Sequence, residues 1–169
     1  MARADTSAIT TRGEFAGGDR FGIPGGDGPY PLGRESRIAI RRTRAYVALA
    51  DSAEILVFDL NGRKLSSLNA RAPRVLATKV DLEAARERKI ATMGEKARRS
   101  IERSYAAMPL ARYLPGTRDL VVDADDNLWV QQFPRSGQPN VTWTVFGNYG
   151  RLRATIALSV ELEVYEIGR

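Results

Sequence analysis

Short alternations of apolar and polar residues fill two stretches of the chain, and a three-to-four-residue period fills the stretch between them. The first alternating block begins after residue 36. Runs at 37–40, 46–49, 54–58 and 63–68 are separated by the polar turn Arg41-Arg42-Thr43-Arg44, by Asp51-Ser52-Ala53 and by Asp59-Leu60-Asn61-Gly62. Period-two runs of this length are strands half-buried in a sheet, and Asn-Gly supplies the positive φ of a tight hairpin. Four antiparallel strands joined by short turns make a meander.

The second block repeats the texture at 119–122, 128–131, 141–146 and 151–156, and strict alternation at 161–167 predicts one further strand. Between the blocks, Leu82, Ala85, Lys89 and Met93, then Ala97, Ile101, Tyr105 and Met108, recur at helical steps. Thr78 followed by Asp81 is a helix-start signal, Gly94 divides the two runs, and Pro109 ends the second. The expectation is a helical hairpin over 79–92 and 95–107. Upstream, residues 12–33 are dense in Gly and Pro, which excludes a helix and leaves too few apolar residues for a core strand. That segment is expected to be an irregular crossover or exposed arm, preceded by a short β segment at 7–11.

The two alternating blocks align with each other. "VFDLNGR", 57–63, falls on "VFGNYGR", 145–151, and Tyr46-Val47 falls on Trp129-Val130. An internal repeat of four-stranded units is the sequence signature of a β-propeller. The expected organisation is therefore an arm at 1–33, a blade at 34–70, a helical insertion at 71–116, a blade at 117–158 and the first strand of a further blade at 159–169.

The stretches "EILVFDLNGR", "AAMPLARYLP", "LVVDADDNLWV" and "WTVFGNYGRL" resemble uncharacterised bacterial six-bladed β-propeller proteins with NHL-like repeats. The likeness runs over roughly residues 13 to 167. It implies a mainly β fold of antiparallel blades carrying the helical insertion. Asn127 stands where the family's turn glycine is expected, and Gly147-Asn148 replaces the aspartate that Asp59 retains. About two blades of a six-bladed ring are represented, so the resemblance implies a C-terminal piece of a longer propeller. A unit that assembles with further copies through its open blade faces is the competing expectation.

Composition narrows the chemistry. The chain of 169 residues holds no His and no Cys. Histidine relays, thiolate nucleophiles, disulfides and His- or Cys-based metal sites are thereby excluded, and any catalysis must rest on carboxylates, Lys, Tyr, Ser or Thr. No apolar run approaches the ~20 residues that span a bilayer, and the first residues hold no apolar signal-peptide core, so a soluble chain without a signal peptide is expected.

The acidic turn at 123–127 resembles the start of a calcium loop, but the sixth position is Leu128 and the twelfth is Pro134. Neither provides the sharp turn or the bidentate carboxylate that an EF-hand needs, so this is a strand turn and no metal or cofactor site is expected. Asp125 and Asp126 are adjacent, point apart, and form no acid–base pair. Trp129 and Trp143 sit within alternating strands and are expected to pack between blades. The glycines at 13–28 fit no phosphate loop.

Net charge is +6, which turns attention to polyanions. Arg41, Arg42 and Arg44 in one turn, with Arg98, Arg99 and Arg103 on the helical insertion, are the candidate anion- or partner-binding residues. The insertion interleaves these cations with Glu83, Glu87, Glu95 and Glu102, a pattern that reads first as a salt-bridged, solvated face. The sequence thus points to a non-enzymatic propeller scaffold that binds a ligand or protein. The alternatives are a remnant of a carboxylate- or metal-dependent propeller hydrolase or lyase, and a basic surface for nucleic acid or another polyanion.

Overall fold

A computed structural model describes residues 13–23, 26–50, 52–91, 94, 98–99, 102–103, 106 and 108–168. It is mainly β. Two four-stranded antiparallel sheets form: β3 (Arg37–Arg41), β4 (Arg44–Ala48), β5 (Glu54–Asp59) and β6 (Lys64–Asn69) in one, β7 (Thr117–Val122), β8 (Leu128–Gln132), β9 (Asn140–Phe146) and β10 (Leu152–Ser159) in the other. Each sheet keeps its strands in chain order, so both are simple meanders. A third sheet is a hairpin of β1 (Arg20–Ile23) and β2 (Gly26–Pro29).

The two large sheets pack face to face. Tyr46, Ala48, Ile55 and Val57 from one meet Leu120, Val122, Leu128, Val130 and Phe146 from the other in a single buried cluster. Alternation explains the choice of side chains, because every second residue of a strand faces the partner sheet. The first strands of the two sheets, β3 and β7, lie side by side.

Three turns use one device. Asp59 N–H donates to the Arg63 carbonyl at 3.0 Å, Asp123 N–H to Asn127 at 3.0 Å and Gly147 N–H to Arg151 at 2.8 Å. The fourth residue of each turn takes positive φ: Gly62 at 81°, Asp126 at 61° and Gly150 at 75°. The residue at the glycine position of the second turn is therefore Asp126, and Asn127 follows it in the strand-side position. This corrects the placement read from the repeat. Aspartate tolerates the left-handed region because its short side chain adds little crowding beyond Cβ.

A second, smaller core joins the remaining pieces. Helix α1 (Lys79–Ala91) contributes Ala85 and Ile90, which pack with Leu32, Leu114 and Met108 and with the partly buried Tyr30, Phe21 and Phe133. Its start is a reciprocal cap: Asp81 accepts from Thr78 N–H at 2.9 Å and Thr78 Oγ1 at 2.6 Å, while Thr78 Oγ1 accepts from Asp81 N–H at 3.2 Å. The free carboxylate oxygen, Oδ1, accepts from Ser136 N–H at 3.0 Å and ties the helix to the β8–β9 loop.

Two expectations need correction. The Gly/Pro-rich arm carries the β1–β2 hairpin, and Leu32 just beyond it is 1% exposed. It folds because Tyr30 and Leu32 anchor it to α1 and the 108–114 segment, a tertiary reason that local composition conceals. The alternating 161–167 stretch is not a strand. It crosses to the β7–β8 turn, where Ala124 N–H donates to the Ile167 carbonyl at 3.1 Å; alternation supplies a face but no ladder partner. The expected β segment at 7–11 lies outside the described residues, as do Met93 and most of the second helical leg at 95–107, including Ala97, Ile101 and Tyr105. Among the described residues one helix is defined, α1. No helix of the described residues is long and apolar enough to cross a membrane.

Candidate ligand cleft

Where the small core meets the first sheet, a cleft of about 760 Å³ opens. Its walls come from the β1–β2 hairpin and its exit (Asp19, Arg20, Phe21, Tyr30, Leu32, Arg34), from the β4–β5 and post-β6 loops (Ala50, Ser52, Ala53, Ala72, Pro73, Arg74), and from residues 109–116. The last two segments are held together by a short antiparallel bridge. Leu76 pairs with Tyr113, Ala77 N–H donates to Arg112 at 3.2 Å, and Leu114 N–H donates to Val75 at 2.9 Å. That bridge gathers Arg74, Arg112 and Tyr113. The guanidinium carbon of Arg74 lies 4.6 Å from the Tyr113 ring centroid and that of Arg112 lies 5.3 Å from it, both within cation–π range.

Four arginines and one aspartate line the cleft. Arg34 meets Asp19 with both prongs, Nε at 3.0 Å and Nη2 at 3.1 Å, the bidentate fork geometry. The Arg34 hydrogen bonds hold the Asp19 carboxyl below its ordinary value, against the opposing effect of burial. Arg20 donates to the Asp27 carbonyl at 2.6 Å. Tyr30 hydroxyl donates to the Pro109 carbonyl, and burial raises its pKa, so the phenol stays protonated at neutral pH.

The arginines that stood out in the sequence lie elsewhere. Arg41, Arg42 and Arg44 form a seam between the two sheets. Arg41 Nη1 donates to the Val122 carbonyl at 3.3 Å, Arg44 donates to the Asn148 carbonyl, and Arg41 and Arg42 flank Asp126 at 3.9 and 3.8 Å. Arg98 is paired with Glu102 at 3.0 Å, four residues on, while Arg99 and Arg103 are exposed. Among the described residues no hydrogen bond or ion pair joins these two groups. On α1 itself Arg86 reaches Glu83 at 3.3 Å, as a salt-bridged face requires.

The carboxylate that organises the acidic turn, Asp123, is engaged internally. Asp123 Oδ1 accepts from Asp125 N–H at 2.9 Å and Asn127 N–H at 2.8 Å, and Oδ2 accepts from Asn127 Nδ2 at 2.8 Å and Trp129 Nε1 at 2.9 Å. Burial alone would raise its pKa, but these four bonds outweigh it and lower the carboxyl below its ordinary value. Among the described residues no group of three Asp or Glu side chains is placed to hold a metal ion. Trp143 is 1% exposed, and Trp129 is half-buried with its indole N–H spent on Asp123. Trp143 is therefore closed to a ligand.

The sequence reading missed Arg20, Arg34, Arg74, Arg112 and Tyr113. "AAMPLARYLP" stood out as a motif and contains the last two, but nothing in it shows that Arg74 approaches the same ring. Compared with protein-family models, with curated proteins and with solved structures, the chain matches none.

Proposed function

We propose that the two large sheets are neighbouring blades of a β-propeller and that the chain serves as a non-enzymatic binding module, its ligand entering the cleft lined by residues 19–21, 30, 32, 34, 50, 52–53, 72–74 and 109–116. The observation that carries the reading is the cleft itself. It has the size of a small-molecule site, convergent polar groups and apolar walls. Its side chains are Arg, Tyr, Ser and apolar residues around one carboxylate already bound by arginine, which suits holding a ligand better than transferring a proton.

The blade reading is supported by equivalence between the sheets. Phe58 occupies in the first sheet the repeat position of Phe146, and Phe146 is buried between the sheets. On the open face of the first sheet Phe15 lies against that position, ring centroids 5.7 Å apart, while Ile38 and Ile40 are 59% and 66% exposed. A third sheet of the same kind fits there, and a longer ring or a second copy would both supply it. The helical insertion stands outside the blades and forms one wall of the cleft.

A fragment screen followed by amide NMR tests the binding reading. Shifts should concentrate on Ser52, Ala53, Arg74, Ala111 and Gly116, with each fragment recovered chemically unchanged. Fragments that shift only the seam or the β9–β10 turn, or that are consumed, would overturn it.

A further inference from the structure

The cleft's charge goes further than its shape. Among the described residues it carries four cations against one anion, and that anion is engaged by Arg34. Arg74 and Arg112 have no carboxylate partner among the described residues, yet one short bridge brings both against the same ring. Since each guanidinium lies about 5 Å from the Tyr113 centroid, the two are within about 10 Å of each other. Neither guanidinium is neutralised by a carboxylate among the described residues, so a multiply charged anion that reaches both finds two unspent fork donors.

No lysine lines the cleft; all four cations are arginines. A guanidinium offers a flat fork of donors that matches the paired oxygens of a phosphoryl or carboxylate group, whereas an ammonium is a point charge. Leu110 and Leu114 lie beside the pair, so an organic body attached to the anion finds apolar wall.

We propose that the cleft binds a small organic anion bearing at least two negative charges on a phosphoryl or carboxylate head, gripped by Arg74 and Arg112. This rests on the reading of the cleft as a ligand site and adds the ligand's chemical class.

Isothermal titration of the full chain with pyrophosphate, citrate, adenosine diphosphate and adenosine tests it. The anions are expected to bind and adenosine is not; pyrophosphate or adenosine diphosphate binding more tightly than citrate assigns the head as phosphoryl, and the reverse order assigns it as carboxylate. Arg74→Gln and Arg112→Gln should each weaken binding about tenfold, the usual size for losing one charge-assisted contact, while Arg99→Gln leaves it unchanged. Both side chains are exposed, so the variants should melt with the parent. Should one fail to fold, pyrophosphate-induced shifts of the Ser52 and Gly116 amides in the parent still report the site. Adenosine binding as tightly as the diphosphate would sink the anion inference and leave the binding reading standing. No binding of any anion at millimolar concentration, or binding untouched by both substitutions, would also sink it.

Discussion

Replacing Asp123 tests whether the acidic turn is structural. Its carboxylate is 6% exposed at the residue level and accepts four hydrogen bonds, two on each oxygen. Hydrogen bonds to a charged group contribute roughly 1.5–3 kcal/mol each, and stranded buried donors cost about 1–3 kcal/mol. Asp125 lies exposed, so water replaces the bond to its amide. Asn127 is 8% exposed and Trp129 half-buried, so their donors are stranded in part. Relief from desolvating the carboxylate offsets some of the loss. Asp123→Ala should therefore cost about 3–4 kcal/mol, or about 6–16 °C in Tm for a chain of this size.

Asp123→Asn isolates the charge. One amide oxygen can still serve the two backbone N–H groups, but the amide NH2 then faces two other donors, so a loss of about 2 kcal/mol is expected. Urea unfolding followed by tryptophan fluorescence and circular dichroism measures both variants. A double-mutant cycle with Trp129→Phe isolates the indole bond and should give a coupling of about 1–2 kcal/mol. A loss under about 1 kcal/mol for Asp123→Ala, or a coupling within about 0.3 kcal/mol of zero, would refute the turn as described.

Gly147→Asp should stabilise the protein by about 1 kcal/mol, seen as a raised urea midpoint. It restores the side-chain bonds that Asp59 makes to Asn61 N–H at 3.0 Å and Arg63 N–H at 2.9 Å, and its Cβ displaces only the flexible end of Arg153. Gly150→Ala should do the opposite, costing about 2 kcal/mol, because φ there is +75° and the new Cβ would sit 2.3 Å from Leu68 Cδ2. Asp19, Asp81 and Asp123 all have lowered pKa values. Groups of that kind give stability that is complete above the unfolded carboxylate value of about 3.9 and is lost as pH falls through each folded value, so thermal melts should drop only below about pH 4. With no His or Cys in the chain, Tm should be flat from about pH 5 to 8, and a step there would contradict this. Calcium should leave Tm unchanged against a chelator control, since both oxygens of Asp123 are saturated by internal donors.

The strands of the large sheets were legible because each buries one face, and burial of one face imposes period two. Ile55 and Val57 point into the inter-sheet core, while Leu56 between them points away. The helix start was legible because Thr78 and Asp81 satisfy each other locally. The β1–β2 hairpin was not, because Gly22, Gly26 and Gly28 show no periodicity and the hairpin is anchored from outside by Tyr30 and Leu32. Residues 161–167 misled in the other direction, since alternation there had no neighbouring strand to pair with. The cleft was out of reach for a related reason: its walls come from four separate segments of the chain.

The arginines divide in the same way. Arg41, Arg42 and Arg44 cluster in sequence because one hairpin turn must reach two turns of the neighbouring sheet. Arg44 caps the Asn148 carbonyl in the β9–β10 turn, and Arg41 and Arg42 flank Asp126 in the β7–β8 turn. Asp126 explains why that turn forgoes glycine. A left-handed aspartate is strained relative to glycine, and its carboxylate gives the seam an anion that glycine cannot supply. At side-chain exposures of 28–59% these ion pairs add little energy; their effect is to fix which turn faces which. Arg74 and Arg112 are far apart in sequence and meet through the Leu76–Tyr113 bridge, with no carboxylate partner among the described residues. Arg41, Arg42 and Arg44, grouped in sequence, are spent on the fold, whereas Arg74 and Arg112 are brought together only by folding.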